Sequence, residues 1–418
     1  MTDLPSHADV VIIGGGAMGA STAFHLAARG CAVVLVDKSD LASQSSARAA
    51  GLAQQVQVDD VLAALAIRGV RMLMSFQALT GQPLDVVVNG SVKVARLEGD
   101  AAQLAQEVHR GQALGVEIAL VSAGAARTVA PWLHGDRALA ISHCPGDTYL
   151  EDPGTLPRAF IRALVERGGV ALDHAGVTGI LVEDRAVAGV VTTKGRIEAP
   201  VVVDAAGAWA RRVGDLVGCP IPLWPVRTQL CITEPLAQVD PRHATVRVMD
   251  AKVYVRPARG GLMFGAYEPD PLDLDPRERP ADFEIRDLPL DLQPLRRAMD
   301  GVHAELPLLE RARIVELRGG LPTMTPDGHF LIDRLPGVAG FYVASGCNVG
   351  GLSISPPIGE DLADWIVAGG ERPPPLAPFR IDRFDGRFAS DAELRPACLA
   401  TYVHKYDEQE VRSRRSSR

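Results

Sequence analysis

The most restrictive feature of this chain lies in its first 37 residues. Asp9 to Ile13 is a short run of mainly β-branched residues, Gly14-Gly15-Gly16-Ala17-Met18-Gly19 follows at once, and Ala20 to Arg29 is rich in helix formers. The order reads as strand, glycine turn and helix. Gly14 permits the tight turn, Gly16 lets backbone approach a pyrophosphate, and Gly19 lets the helix pack closely on the strand. The helix N-terminus then faces the phosphates. Gly30 ends the helix, and Ala32 to Val36 is a continuous apolar run, as a parallel strand covered on both faces requires. Asp37, 18 residues after Gly19, closes that strand where a dinucleotide's ribose hydroxyls are accepted. Its charge disfavours a 2′-phosphate, and with it NADP.

Two further apolar runs end in small-residue turns. Val201 to Val203 leads into Asp204-Ala205-Ala206-Gly207-Ala208-Trp209, and Phe341 to Ala344 leads into Ser345-Gly346-Cys347-Asn348-Val349-Gly350-Gly351-Leu352. A helix follows the second turn, announced by Pro356 and Pro357, with Glu360 and Asp361 in its first turn and Gly369 as its stop. Three such turns after buried strands predict an α/β fold, a doubly wound sheet serving one extended ligand. The loop from Lys38 to Leu52 alternates Ser, Ala and Gly, which suits close approach by a flat ligand.

The remaining composition narrows the class. The 418 residues exceed one ordinary domain, and 43 Lys and Arg against 51 Asp and Glu give a net charge of −8, which argues against a dominant grip on nucleic acid or anionic lipid. No apolar stretch approaches the ~18 residues of a membrane span. The six cysteines are scattered without a C-x-x-C pair, so no metal centre or disulfide framework is expected and a cytoplasmic setting is the default. There is no HExxH, no G-x-S-x-G and no GxxxxGK[ST].

On four segments the chain resembles the FAD-dependent amine oxidoreductases of the D-amino-acid oxidase superfamily. They are VVIIGGGAMGASTAFHLAARG with VVLVDK and SSARAAGL; VVVDAAGAWA; VYVRPARGGLMFGAYE; and LPTMTPDGHFLIDRLPGVAGFYVASGCNVGGLSISPPIG. The resemblance implies an FAD-binding Rossmann-like domain beside an antiparallel-sheet α+β substrate domain. FAD contacts would come from Gly14, Gly16, Ala17, Met18, Gly19, Asp37, Lys38, Ser45, Ser46, Arg48, Ala50, Gly51, Leu52, Val177, Ala205, Ala206, Gly207, Trp209, Gly320, Gly346, Asn348, Val349, Gly350, Gly351 and Leu352. Arg48 and Gly320 stand where relatives attach FAD covalently, so the cofactor is expected to be non-covalent. The expected division is an FAD-binding unit over 1–84, 146–219 and 316–379, a substrate unit over 85–145 and 220–315, and a C-terminal extension over 380–418. Strand-like runs in the substrate unit are Val86 to Val94, Val226 to Ile232, Lys252 to Pro257 and Leu262 to Tyr267. Glu371 to Pro378 reads as a stiff linker, and the basic end RSRRSSR as a tail.

The resemblance further implies that a hydride leaves the carbon next to nitrogen of an amino acid or an N-methyl or cyclic amine, giving an imine that hydrolyses. Electrons then pass to oxygen or to another carrier, and a homo- or hetero-oligomer is compatible with this chemistry. The protein's part is to orient the amine and hold a carboxylate. Tyr254 and Arg256, two apart on one strand, share a face; Tyr267 ends the next strand and Arg318 precedes Gly319-Gly320. These four are the candidate substrate residues, the alternative for the strand pair being that Arg256 binds an acid and Tyr254 is packing. The arginine that glycine oxidase-like sequences use for a carboxylate falls at Pro322, and the sarcosine oxidase lysine falls at Met263. A 2-hydroxy-acid dehydrogenase and a flavin-binding subunit of a larger amine dehydrogenase are the competing readings.

Overall fold

A computed structural model describes residues 4–405, so the basic end Arg412 to Arg418 lies outside the described residues. The first sheet has six strands in the order Leu331–Arg334, Phe341–Ser345, Val201–Asp204, Val10–Ile13, Val33–Val36 and Val170–Leu172. All neighbours pair in parallel except Leu331–Arg334, which runs antiparallel to Phe341–Ser345. Side-chain alternation divides each strand between two cores. Val10, Ile12, Val33, Leu35 and Val203 face the helices Ala17–Ala27, Asp60–Met74, Thr155–Glu166 and Gly351–Ala368. Val11, Ile13, Val34, Val36 and Val202 face Val187, Val190 and Ile197 of the antiparallel strands Ala186–Thr192 and Gly195–Glu198. Both faces are covered, which is why these strands read as continuous apolar runs.

The helix Gly351–Ala368 begins five residues before Pro356, so the two prolines lie inside it instead of announcing it. Pro356 has no N–H to give to the Leu352 carbonyl, and the Ser355 hydroxyl donates to that carbonyl at 3.0 Å in its place. Gly69 lets the Asp60–Met74 helix approach so closely that a Cβ there would stand 2.2 Å from the Ser353 carbonyl oxygen.

The second sheet has eight strands in the order Ile314–Gly320, Thr228–Thr233, Gly261–Ala266, Val253–Ala258, Thr245–Val248, Ser91–Ala95, Ala140–Cys144 and Ala119–Leu120. It is antiparallel apart from one parallel pair, Thr245–Val248 with Ser91–Ala95. The expected strand Val86 to Val94 is broken at Asn89-Gly90, where Gly90 takes φ +70. Val86–Val88 joins a small sheet with Thr148–Leu150 and Leu52–Ala53, and Ser91–Ala95 joins the large one. The span 85–145 also carries a helix, Glu98–Ala113. Ile314–Gly320, divided by an expected boundary at 316, runs on the large sheet from end to end. The linker is docked, not free: Leu376 and Phe379 are buried in the helical core. Beyond it the helix Asp391–Val403 packs Leu394, Cys398 and Tyr402 against Trp224, Tyr267 and Met324.

Candidate functional site

The glycine turn opens onto a continuous cavity of about 830 Å³ that runs between the two large sheets. Gly14, Gly16, Ala17 and Met18 line it, as do Asp37, Lys38 and Val177. Gly14 holds φ +110, and a Cβ there would lie 2.4 Å from the Ala205 carbonyl oxygen. Gly19 does not face the cavity; a Cβ on it would sit 2.0 Å from the Gly14 carbonyl oxygen, so its part is helix packing. Asp37 accepts the amides of Gly15 at 2.7 Å and Ser39 at 2.9 Å, and burial pushes its carboxyl above the usual range against those bonds. Lys38 donates to the Phe283 carbonyl at 2.6 Å and lies over the Trp209 ring.

Ser45, Ser46, Arg48, Ala50, Gly51 and Leu52 line the same cavity, as do Ala205, Ala206, Gly207 and Trp209. Ser46 Oγ accepts the Ala17 amide at 3.0 Å and Ser45 Oγ accepts the Leu321 amide at 3.1 Å, tying this loop to both walls. Arg48 is held below its ordinary range by burial and then by the Arg318 and Arg286 charges. Gly320, Leu321, Pro322, Cys347, Val349, Gly350, Gly351 and Leu352 line it as well. Val349 is held at φ +67, a costly conformation for a β-branched residue and one that clusters at ligand sites. Two expectations here need correction. Asn348 is buried with its amide spent on Gly346, His329 and Thr325, so it braces the turn instead of facing the cavity. Gly346 is directed at Thr325 and Leu331.

These residues fit FAD. Two helices, Ala17–Ala27 and Gly351–Ala368, begin at the glycines Gly16 and Gly350, which have no side chain to cap them; Ser46 Oγ takes the Ala17 amide of the first, and both starts line the cavity. The positive ends of two helices on one cavity suit a diphosphate and an electron-rich ring edge. Seven Lys and Arg line the cavity (Lys38, Arg48, Lys93, Arg212, Arg247, Arg318, Lys405) against three acids (Asp37, Glu107, Asp282), a balance that favours anions.

The large sheet supplies the other wall through one cross-strand row. Arg318 pairs with Leu230, Leu230 with Gly265, Gly265 with Tyr254, Tyr254 with Arg247, and Arg247 with Lys93. Residues in register share a face, so the row spans five strand spacings, roughly 24 Å. Gly265 is glycine because the Tyr254 ring lies across it, with a Cβ there only 2.2 Å from the ring. Tyr254 and Arg318 therefore line the cavity, as does Tyr267 just past its strand. Arg318 also bonds Glu316 at 2.7 Å.

Arg256, expected beside Tyr254, is not on the cavity wall. It is fully buried, donating to the carbonyls of Ala50 at 2.7 Å and Pro257 at 2.5 Å, with Glu151 at 3.3 Å and the Tyr149 ring beneath it. The Leu150 end of the small sheet covers it, so sharing a face with Tyr254 does not bring it to the cavity. No motif marks Lys93 or Arg247, although each is the charged member of an alternating strand, SVKVA and TVRV. For Tyr402 and Lys405, which also line the cavity, no local signal exists.

Asp204 shows what the sheet end costs. It is fully buried, accepts the Ala206 amide at 3.0 Å through one oxygen and leaves the other without a partner. Burial pushes its carboxyl up to about 8. An unfolded aspartate titrates near ~3.9, so between these values the folded protein holds a proton that the unfolded chain releases, and stability falls as pH rises through that window. Asp204→Asn should remove this slope. Its melting temperature is expected to exceed the wild type's by a margin that grows from pH 5 to pH 8, and a constant margin would contradict the assignment.

The family described as FAD dependent oxidoreductase (DAO) matches residues 9–365. Sarcosine dehydrogenase of Mus musculus is 31% identical over 374 residues, covering 88% of this chain and 40% of the relative. The chain thus spans about two fifths of that relative's length. Glycine oxidase of Geobacillus kaustophilus is 28% identical over 388 residues, covering 91% of this chain and 98% of the relative. Among solved structures, L-proline dehydrogenase from P. horikoshii superposes with a TM-score of 0.82 at 25% identity, covering 91% of this chain and 99% of the other.

Proposed function

Because this chain belongs to the FAD-dependent oxidoreductase family, we propose that it oxidises an amino acid or an N-methyl or cyclic amine at the carbon next to nitrogen. The observation that carries this reading is the one cavity shared by the glycine turn, two helix starts and the Arg318-to-Lys93 row. FAD, when bound, supplies the ring that accepts the hydride. It would be held non-covalently by Gly14 to Met18, Asp37, the Ser45 to Leu52 loop, Ala205 to Gly207 and the Val349 to Leu352 turn. Tyr254 and Tyr267 would orient the amine and Arg318 would draw its carboxylate toward the cavity. The C–H bond breaks with its electron pair leaving as hydride; the resulting imine takes up water and splits into an amine and a carbonyl compound. Relatives named for sarcosine, glycine and L-proline support an amine next to a carboxylate, and lend nothing to a 2-hydroxy acid.

Among the described residues no helix is long and apolar enough to cross a membrane. The six cysteines are all free, which supports a reducing compartment such as the cytoplasm. Oxygen or another carrier would reoxidise the enzyme, as a homo- or hetero-oligomer or alone.

The test is an anaerobic absorbance titration of the purified yellow protein with primary, N-methyl and cyclic amino acids, followed by air. Bleaching by one amine class and not by 2-hydroxy acids is expected, and the rate of recovery in air separates oxidase from dehydrogenase. A yellow protein that no amine bleaches would end this reading in favour of a flavin-binding subunit.

A further inference from the structure

The turn Ser45–Arg48 is pinned on three sides. Ser46 Oγ accepts the Ala17 amide at 3.0 Å, Ser45 Oγ accepts the Leu321 amide at 3.1 Å, and Gln44 Oε1, just before the turn, accepts the Ile285 amide at 2.9 Å. The first tie leads to the helix start at Gly16 that suits a diphosphate, the second to the end of the strand that carries Arg318. A hydride passes directly from amine to ring, so the ring of a bound FAD lies between the diphosphate and the amine wall. The turn is fixed alongside that interval, and Arg48 is its last residue.

Arg48 is a half-buried cation that lines the cavity without a counter-charge of its own. Lys38 is bonded to the Phe283 carbonyl, Lys93 to Glu107 and Arg318 to Glu316. Among the described residues Arg48 has neither a hydrogen bond nor an ion pair, and its Nε is closed off from solvent. The acids whose charges reach it, Glu316 and Glu284, are already engaged, the first by Arg318 and Arg259 and the second by Arg286. Four arginines thus share two glutamates, and burial has removed part of the water that would screen the excess. A cation kept in this state costs stability, and on a cavity wall it points to negative charge that a ligand brings.

The reaction itself creates such a charge. As the C–H bond of the neutral amine breaks, its electron pair leaves with the hydrogen as hydride; the amine becomes a cationic imine, and the ring that accepts the hydride gains one negative charge. A cation fixed in advance stabilises charge that appears only on reaction. We propose that Arg48 holds reduced FAD more tightly than oxidised FAD and thereby raises the potential at which this chain accepts electrons. The assignment rests on the amine-oxidation reading for the hydride, but its test needs no amine.

The experiment reduces the FAD-loaded wild type, Arg48→Met, Arg48→Gln and Arg48→Lys slowly and anaerobically beside a reference dye, and reads the flavin midpoint potential from the spectra. The two uncharged variants should prefer reduced over oxidised FAD about tenfold less than the wild type does, a fall of about 30 mV for a two-electron couple. Arg48→Lys keeps a point charge and should stay within about threefold of the wild type. Oxidised FAD should bind the uncharged variants within about threefold of the wild type, and their apoproteins should melt at or above its temperature, because an uncompensated charge is gone. An unchanged potential, an equal loss of affinity for oxidised and reduced FAD, a lower melting temperature in both uncharged apoproteins, or an Arg48→Lys potential that falls as far as that of Arg48→Met would each overturn the assignment. Fallen potentials in a protein that no amine bleaches would uphold it while ending the amine-oxidation reading.

Discussion

Gly14→Val is expected to yield a colourless protein whose FAD affinity is lower by about 100-fold or more. The residue holds φ +110, a backbone conformation that a β-branched side chain strongly resists, and its first added carbon would meet the Ala205 carbonyl oxygen at 2.4 Å. Both partners of that collision are backbone at the ends of paired strands, Val10–Ile13 and Val201–Asp204, so neither can swing aside. The turn must open, and the helix start at Gly16 leaves the line of the phosphates. Strain of about 3 kcal/mol expressed in binding is roughly a hundredfold. Fluorescence titration of the apoprotein with FAD measures it, and wild-type affinity would refute the role given to this turn.

Arg256→Ala should cost about 3–5 kcal/mol of folding stability, as removal of one partner from a buried charged network does. The fully buried guanidinium ties the Ala50 and Pro257 carbonyls and Glu151 together. Ala50 belongs to the loop expected to face FAD, so the variant should also bind the cofactor more weakly. Arg256→Lys should recover only part of the loss, since an ammonium cannot span carbonyls on three sides. Urea denaturation checks the prediction; a variant as stable as the wild type would return Arg256 to the list of substrate-facing residues.

Arg256 also shows where sequence reasoning stops. The alternation of VYVRPA places Tyr254 and Arg256 on one face, and the strand Val253–Ala258 does carry them so. What lies over each residue depends on distant chain: Arg247 and Gly265 flank Tyr254 in register, while the Leu150 end of the small sheet closes over Arg256. The glycine turn, Asp37 and the runs at Val201 and Phe341 were readable because their logic is local to one strand and its turn. Pro356 and Pro357 misled by an equally local rule, which the Ser355 hydroxyl circumvents. Asn348 looked like a ligand because of its glycine neighbours, but its amide is consumed by Thr325 and His329. The row from Arg318 to Lys93 follows from strand register alone, which no single segment encodes.

The docked helix at Asp391–Val403 has a consequence for synthesis. Cavity walls come from residues as early as Ile13 and as late as Lys405, so a growing chain has the glycine turn long before the last wall of the cavity is made. A nascent chain halted near residue 380 would lack Tyr402 and leave Trp224, Tyr267 and Met324 without their cover. The cover over these three residues is thus the last part of the described fold to be synthesised.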